Sequence, residues 1–351
     1  MTRPLISLVM ILKNEEASIQ KTLLSVGHFI DRYTIWVDDK STDRTFDLLA
    51  EGLDSSQGKI IRGTFEDFSQ ARNAALAAET EATFSLMLSG GESLVDGEAL
   101  LEFCQDHVDD TDGAYDIEVQ LGANRYPSPR LTRTGSAWHY EGVTHEVLVS
   151  PDGSLPTKRV PDAWVLHEKN GGSRDRWYLD AKLLREEWDR KNTPRTAFYL
   201  GQSYELLGEM AKALKWYERR VKMGGWWEEV YESMFRSAKL RGCDLEEMLE
   251  VHNFAPHRAE PLYEIGLRYY RQEKYPLGLL FAEKAAALPY PKNDRLFVIE
   301  SYYRWQAWDL VACCAKSDRE LALYAAKRAL EGNPTLARLK ENVESVSPKA
   351  A

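Results

Sequence analysis

Cysteine is scarce in this chain, with four residues in 351. They are Cys104, Cys243, Cys313 and Cys314, and the adjacent pair is badly placed for an ordinary bridge. No Cys-x-x-Cys spacing occurs, so neither a disulfide scaffold nor a thiolate zinc site is expected, and the chain reads as cytoplasmic. Long apolar runs are missing as well. The run Leu5–Leu12 lacks a small-residue cleavage site and ends in Lys13-Asn14-Glu15-Glu16, which suits a buried strand better than a leader. No apolar stretch reaches the roughly 18 residues of a membrane helix, so no membrane insertion is expected. Positive charge is in deficit: 45 Lys and Arg face 55 Asp and Glu, a net charge of −10. That argues against broad adhesion to nucleic acid or anionic lipid and leaves room for a local basic groove.

The composition that remains is globular, with 44% hydrophobic and 28% charged residues over a length ample for two domains. Nine of the ten tryptophans stand at Trp138 or later. Flat rings in such numbers suit the gaps between packed helices, and equally a surface on which sugars or bases stack.

Strand and helix signals alternate through the first hundred residues. Strands are expected at Leu5–Leu12, Tyr33–Val37, Lys59–Arg62 and Thr83–Leu88. Helices are expected at Glu15–His28, Thr42–Leu53 (capped by Ser41 or Thr42) and Phe68–Glu79. Such alternation predicts an α/β, doubly wound parallel sheet, with a ligand beyond the carboxyl ends of its strands. From Ala114 to Val165 the segments shorten. Asp116–Leu121, Arg130–Thr134, Val147–Ser150 and Ala163–Leu166 predict a mixed or antiparallel extension.

Past Lys169-Asn170-Gly171-Gly172-Ser173 the pattern is helical to the end, so domains are expected at 1–170 and 171–351, joined by a helix over Arg174–Lys191. Leu200, Gly201, Tyr204, Gly208, Ala213 and Tyr217 have the small/large spacing of a helix-pair repeat. Ile265, Gly266, Tyr269, Gly278, Ala282 and Ala285 repeat it 65 residues later, leaving room for one divergent unit between. Ala322, Ala326, Ala329 and Pro334 suit the closing half of another.

Three blocks stand in order, each at a strand end. They are Ser7 to Glu16, Val37-Asp38-Asp39-Lys40-Ser41-Thr42-Asp43-Arg44-Thr45, and Phe68-Ser69-Gln70-Ala71-Arg72-Asn73-Ala74-Ala75-Leu76. In this order they resemble the family 2 glycosyltransferases over roughly residues 5–100. Enzymes joining that domain to tetratricopeptide repeats form a bacterial and viral group. Asp294-Arg295-Leu296-Phe297 and Tyr303-Arg304-Trp305 resemble part of its helical half. The resemblance implies a GT-A Rossmann-like nucleotide-sugar domain followed by an all-α tetratricopeptide-like domain. It also implies transfer of a sugar, with inversion, from a nucleotide-sugar donor of UDP type to an acceptor.

A sugar-nucleotide site needs acceptors for base and ribose, and positive charge or dipoles for the diphosphate. Asp38 matches the family's ribose- or base-binding position, and Asp43 either helps it or serves a helix N-terminus. Lys13 and Asn14 line the nucleotide pocket or a solvated turn; Arg72 braces the diphosphate or pins its helix. Tyr140-Glu141-Gly142-Val143-Thr144-His145-Glu146 resembles the family's Gly-x-x-His-Glu block, which makes His145 and Glu146 catalytic candidates, Glu146 as acceptor base. Trp138 and His139 precede this block and are candidate walls of the sugar or acceptor pocket.

One family feature is absent. The fourth strand of relatives ends in Asp-x-Asp, which holds a divalent metal on the diphosphate; here the stretch is Leu88-Ser89-Gly90-Gly91-Glu92. Ser89, Gly90 and Gly91 are expected to approach the phosphates through their backbone. Glu92 and His167 are the remaining metal candidates, and Mn2+ or Mg2+ is expected to bind weakly or to be dispensable. Arg72, Lys13, Arg130, backbone amides or helix dipoles would then carry the charge. A non-catalytic sugar-nucleotide-binding scaffold is the alternative. The expected acceptor is a protein, peptide or glycan. A modified DNA base is a second option, because Lys212 to Arg220 interleaves cations with aromatic residues.

Overall fold

The computed structural model describes residues 3–111, 113–122, 124–168 and 173–347. The chain divides into two compact units, Met1–Glu187 and Trp188–Ala351. Residues 169–172 of the expected boundary lie outside the described residues.

The first unit opens with β1 (Ile6–Leu12), α1 (Ile19–Val26), β2 (Arg32–Asp38), α2 (Thr45–Gly52), β3 (Gly58–Gly63), α3 (Phe68–Ala78) and β4 (Phe84–Ser89). It continues with β5 (Glu92–Val95), α4 (Gly97–Asp106), β6 (Ala114–Leu121), β7 (Asn124–Arg133), β8 (His139–Glu141), β9 (Val147–Val149) and β10 (Arg159–His167). α5 (Arg174–Arg190) runs across the division between the units, which falls 17 residues past the expected 170/171 boundary.

Eight strands form one sheet in the order β3-β2-β1-β4-β7-β6-β10-β5. β1 to β4 pair in parallel, as the alternation predicts. β7 is antiparallel to β4 and β6, β10 is parallel to β6, and β5 is antiparallel to β10; this is the mixed extension. The unbroken apolar run of β1 is explained by packing on both faces. Ile6, Leu8, Met10 and Leu12 pack with Ile19, Leu49 and Leu100, whereas Val9 packs with Ala71, Ala75 and Met87. One buried carboxylate ties this core: Glu79 accepts from Ser7 Oγ (2.6 Å) and Thr34 Oγ1 (2.8 Å) and caps the amides of Glu81 and Ala82.

Three elements, β5, α4 and β8, were not expected; β5 and β8 are too short to show a period, whereas α4 buries Leu100, Phe103 and Cys104 at helical spacing that went unread. α2 starts at Thr45, later than the Ser41 or Thr42 cap would place it, and the Arg44 side chain does not cap the helix.

The second unit is helical: α6 (Pro194–Leu206), α7 (Met210–Met223), α8 (Trp227–Leu240), α9 (Leu245–Phe254), α10 (Glu260–Arg271), α11 (Tyr275–Ala287), a π-helical turn (Tyr302–Gln306), α12 (Ala307–Cys314), α13 (Arg319–Gly332) and α14 (Ala337–Val346). The spacing identified in the sequence falls on α6/α7 and α10/α11, with α8/α9 between them, so the helical-repeat reading holds. In α6/α7, a Cβ on Gly201 would stand 2.5 Å from the Tyr217 ring, so only glycine lets the two helices approach this closely. Between α11 and the π-helical turn the chain crosses the faces of α8 and α10. Glu228 accepts the amides of Arg295 (2.7 Å) and Leu296 (2.6 Å), and Glu260 accepts that of Ile299 (3.1 Å).

The basic and aromatic stretch of α7 does not form an open groove. Trp216, Tyr217 and Arg220 are buried, and Arg220 donates to Glu229 (2.9 Å) and to the Gly224 carbonyl (2.6 Å).

Candidate active site

β1, β2, β4 and β10 run in the same direction, and polar residues gather at their carboxyl ends. Asp38 closes β2, fully buried, with Lys13 Nζ 2.7 Å from Oδ2 and the Lys40 amide donating to Oδ1 at 3.1 Å. Burial opposes the charged carboxylate, but the bonds from Lys13 and Lys40 outweigh it and hold Asp38 below the ordinary range. Around it the loops are stitched together. Asn14, in the left-handed region at φ 54°, accepts the Thr42 amide at 2.8 Å. Asp43 accepts the Glu16 amide (2.9 Å) and both the amide (3.0 Å) and hydroxyl (2.6 Å) of Thr45. Asn14 and Asp43 therefore shape the loops beside Asp38.

α3 starts under an Asp67 cap that accepts the Gln70 amide at 2.8 Å, and this start sets the direction of Arg72. Arg72 donates from Nε to Glu146 (2.5 Å) and from Nη2 to Ser89 Oγ (3.2 Å), and its guanidinium lies 5.4 Å from the Tyr140 ring centroid. Glu146 sits on the β8–β9 loop, which turns through Gly142 (φ 103°) and His145 (φ 52°). That loop is pinned by the Phe68 amide on the Val143 carbonyl (3.0 Å) and by Thr144 on Asp180 (2.8 Å). Burial pushes the Glu146 carboxyl up, yet the Arg72 charge beside it brings the result below the ordinary value. His145 is exposed next to it.

Ser89-Gly90-Gly91 is the turn from β4 to β5, with Gly91 at φ 76°. A Cβ on Gly90 would lie 2.3 Å from Glu15 Cδ, so the Glu15 side chain covers this glycine. Glu92 follows, 1% exposed. Its Oε2 accepts the Ser89 amide (2.8 Å), while Oε1 takes Arg130 Nη2 (2.7 Å) and His167 Nδ1 (3.1 Å), its partner across β5 and β10. Burial raises the Glu92 pKa, but the Arg130 charge, His167 and the Ser89 amide bring it to about 2.

Residues 7–87, spanning β1 to β4, match the family described as Glycosyl transferase family 2. Over those residues the first unit is similar to the family 2 glycosyltransferases. It has the GT-A-type α/β fold that the sequence predicts. No curated protein matches the chain. Among solved structures, a thermophilic TPR protein of Thermus thermophilus is 16% identical, covering 49% of this chain and 91% of its own, with a TM-score of 0.31. MamA of Desulfovibrio magneticus is 17% identical, covering 49% and 88%, with a TM-score of 0.32. S. aureus TarS is 14% identical, covering 72% of this chain and 55% of its own, with a TM-score of 0.38.

The first unit brings Glu92 and His167 together but does not build a metal site from them. Every Glu92 oxygen is already engaged, Arg130 fills the position beside Oε1, and no group of three or more His, Cys, Asp or Glu that could hold a metal occurs among the described residues. A hard divalent cation wants several free oxygen ligands, and this set does not fit one. Trp138 and His139 lie elsewhere than expected. They line a cavity of about 600 Å3 with Arg3, Asn73, Ser85 and Arg133, at the amino end of β4. Sequence reasoning missed Glu15 and Tyr140 as neighbours of the candidate site, although each stands inside a block that carries the resemblance.

Proposed function

We propose that this chain transfers a sugar, with inversion, from a nucleoside-diphosphate sugar, UDP-linked in the first instance, to a nucleophile on a protein, peptide or glycan. The observation that carries this reading is the buried Asp38, ionised and at a parallel strand's carboxyl end within the matched segment, with Lys13 beside it. An acceptor of this kind suits the donor groups of a nucleoside.

In this scheme the acceptor oxygen forms a bond to the anomeric carbon as the bond from that carbon to the diphosphate oxygen breaks. The electron pair leaves with the diphosphate. The acceptor's proton passes to Glu146, which is ionised and so able to accept it. A binding scaffold that turns nothing over is the competing reading, and it shares the same donor site. Glu146→Gln separates the two. In the transferase it lowers turnover about a hundredfold, the low end for a positioned acid or base, while the donor still binds. Unchanged turnover in that variant, measured as release of nucleoside diphosphate, would remove Glu146 from the reaction.

A further inference from the structure

We propose that Arg72 and Arg130 carry the diphosphate charge that a divalent cation carries elsewhere in the family, each held in place by its own glutamate. This rests on the transferase reading above and concerns how the same site handles its leaving group.

Four observations converge. The turn that would hold a metal is Ser89-Gly90-Gly91, and the one nearby carboxylate, Glu92, is taken up by Arg130, His167 and the Ser89 amide. The second arginine stands on the other side of the turn: Arg72 is bonded to Ser89 Oγ and anchored by Glu146. The charge count is preserved. A divalent cation on two carboxylates nets to zero, and so do two arginines on two glutamates. Finally, both arginines keep a donor in reserve. Arg72 Nη1 and Arg130 Nε are buried and have no hydrogen-bond partner. Buried donors in natural proteins are rarely left unpaired, and unpaired ones on two neighbouring guanidiniums suit a ligand with several anionic oxygens. Glu92 and His167 are then positioning residues that act through Arg130.

The test is calorimetric binding of UDP, GDP and TDP, each against its nucleoside monophosphate, in EDTA and again with manganese. Wild type is expected to bind one diphosphate at least about tenfold more tightly than the monophosphate in EDTA, the worth of one bond to a charged group. Manganese should add little. Arg130→Met should reduce the preference for diphosphate several-fold, weakening the diphosphate more than the monophosphate, and Arg130→Lys should keep more of it. Arg130→Met leaves Glu92 buried and unpaired, so the double variant Arg130→Met/Glu92→Gln, checked by its melting temperature, gives the same comparison in a site relieved of that charge. A diphosphate preference that appears only with manganese, or that survives undiminished in both Arg130→Met variants, overturns the inference and leaves the transferase reading standing. No binding of any nucleotide under either condition contradicts both.

Discussion

Glu79 shows how a single side chain serves the fold and not the chemistry. It lies toward the start of the strands, away from the candidate site at their carboxyl ends, joins β1 to β2 through Ser7 and Thr34, and has its pKa lowered to about 2, because four hydrogen bonds outweigh its burial. A carboxyl whose folded pKa lies below its unfolded value contributes stability that is complete above the unfolded pKa, near 4.5, and is lost as pH falls toward 2. Glu79→Gln should therefore be less stable than wild type in denaturant at about pH 6, with the gap closing as the pH approaches 2. A gap that is constant with pH would show that the ionised form is not what stabilises the sheet. Glu92 differs although it is equally buried and its pKa is as low, because its partners are a second charge and an imidazole at the strand ends.

At the scale of elements, glycine and buried carboxylates decide which helices can meet. Gly201→Ala would drive a methyl into the Tyr217 ring and should cost about 1 to 3 kcal/mol, read as a lower denaturation midpoint of the helical unit. An unchanged midpoint would mean that α6 and α7 have slack that the 2.5 Å approach denies. Glu228→Ala, which strips the acceptor from the Arg295 and Leu296 amides, should cost about 2 kcal/mol or more. Full stability in that variant would mean that the segment between α11 and the π-helical turn is not held by Glu228. These elements also mark what the sequence can express. β1 was legible because both of its faces are buried, so its whole length is apolar, and α6/α7 because close helix contact demands small residues at fixed spacing. β8 is three residues long, and its place depends on Asn73 bonding both polar groups of the Tyr140 backbone, a contact 67 residues away in sequence. Similarly, Arg130 was visible only as one cation among several, since its pairing with Glu92 arises from how β7 and β5 lie in the sheet. The blocks quoted for the resemblance, by contrast, reached the site together: Lys13, Asp38, Arg72 and Glu146 all gather at the strand ends or beside them.

For the whole molecule, the first unit carries the family match and the second a stack of helix pairs, and no helix among the described residues is long and apolar enough to cross a membrane. The proposed transfer requires that the chain take a nucleotide sugar at Asp38. The most direct measurement is titration calorimetry of the full chain and of Asp38→Ala against UDP-, GDP- and TDP-sugars, with melting temperatures recorded for both proteins. One donor should bind wild type and raise its melting temperature, and its affinity should fall at least about tenfold in Asp38→Ala, which removes an acceptor of charge-assisted bonds, while the variant still unfolds cooperatively. Equal affinity in the folded Asp38→Ala variant, or no donor bound by wild type at all, would contradict it.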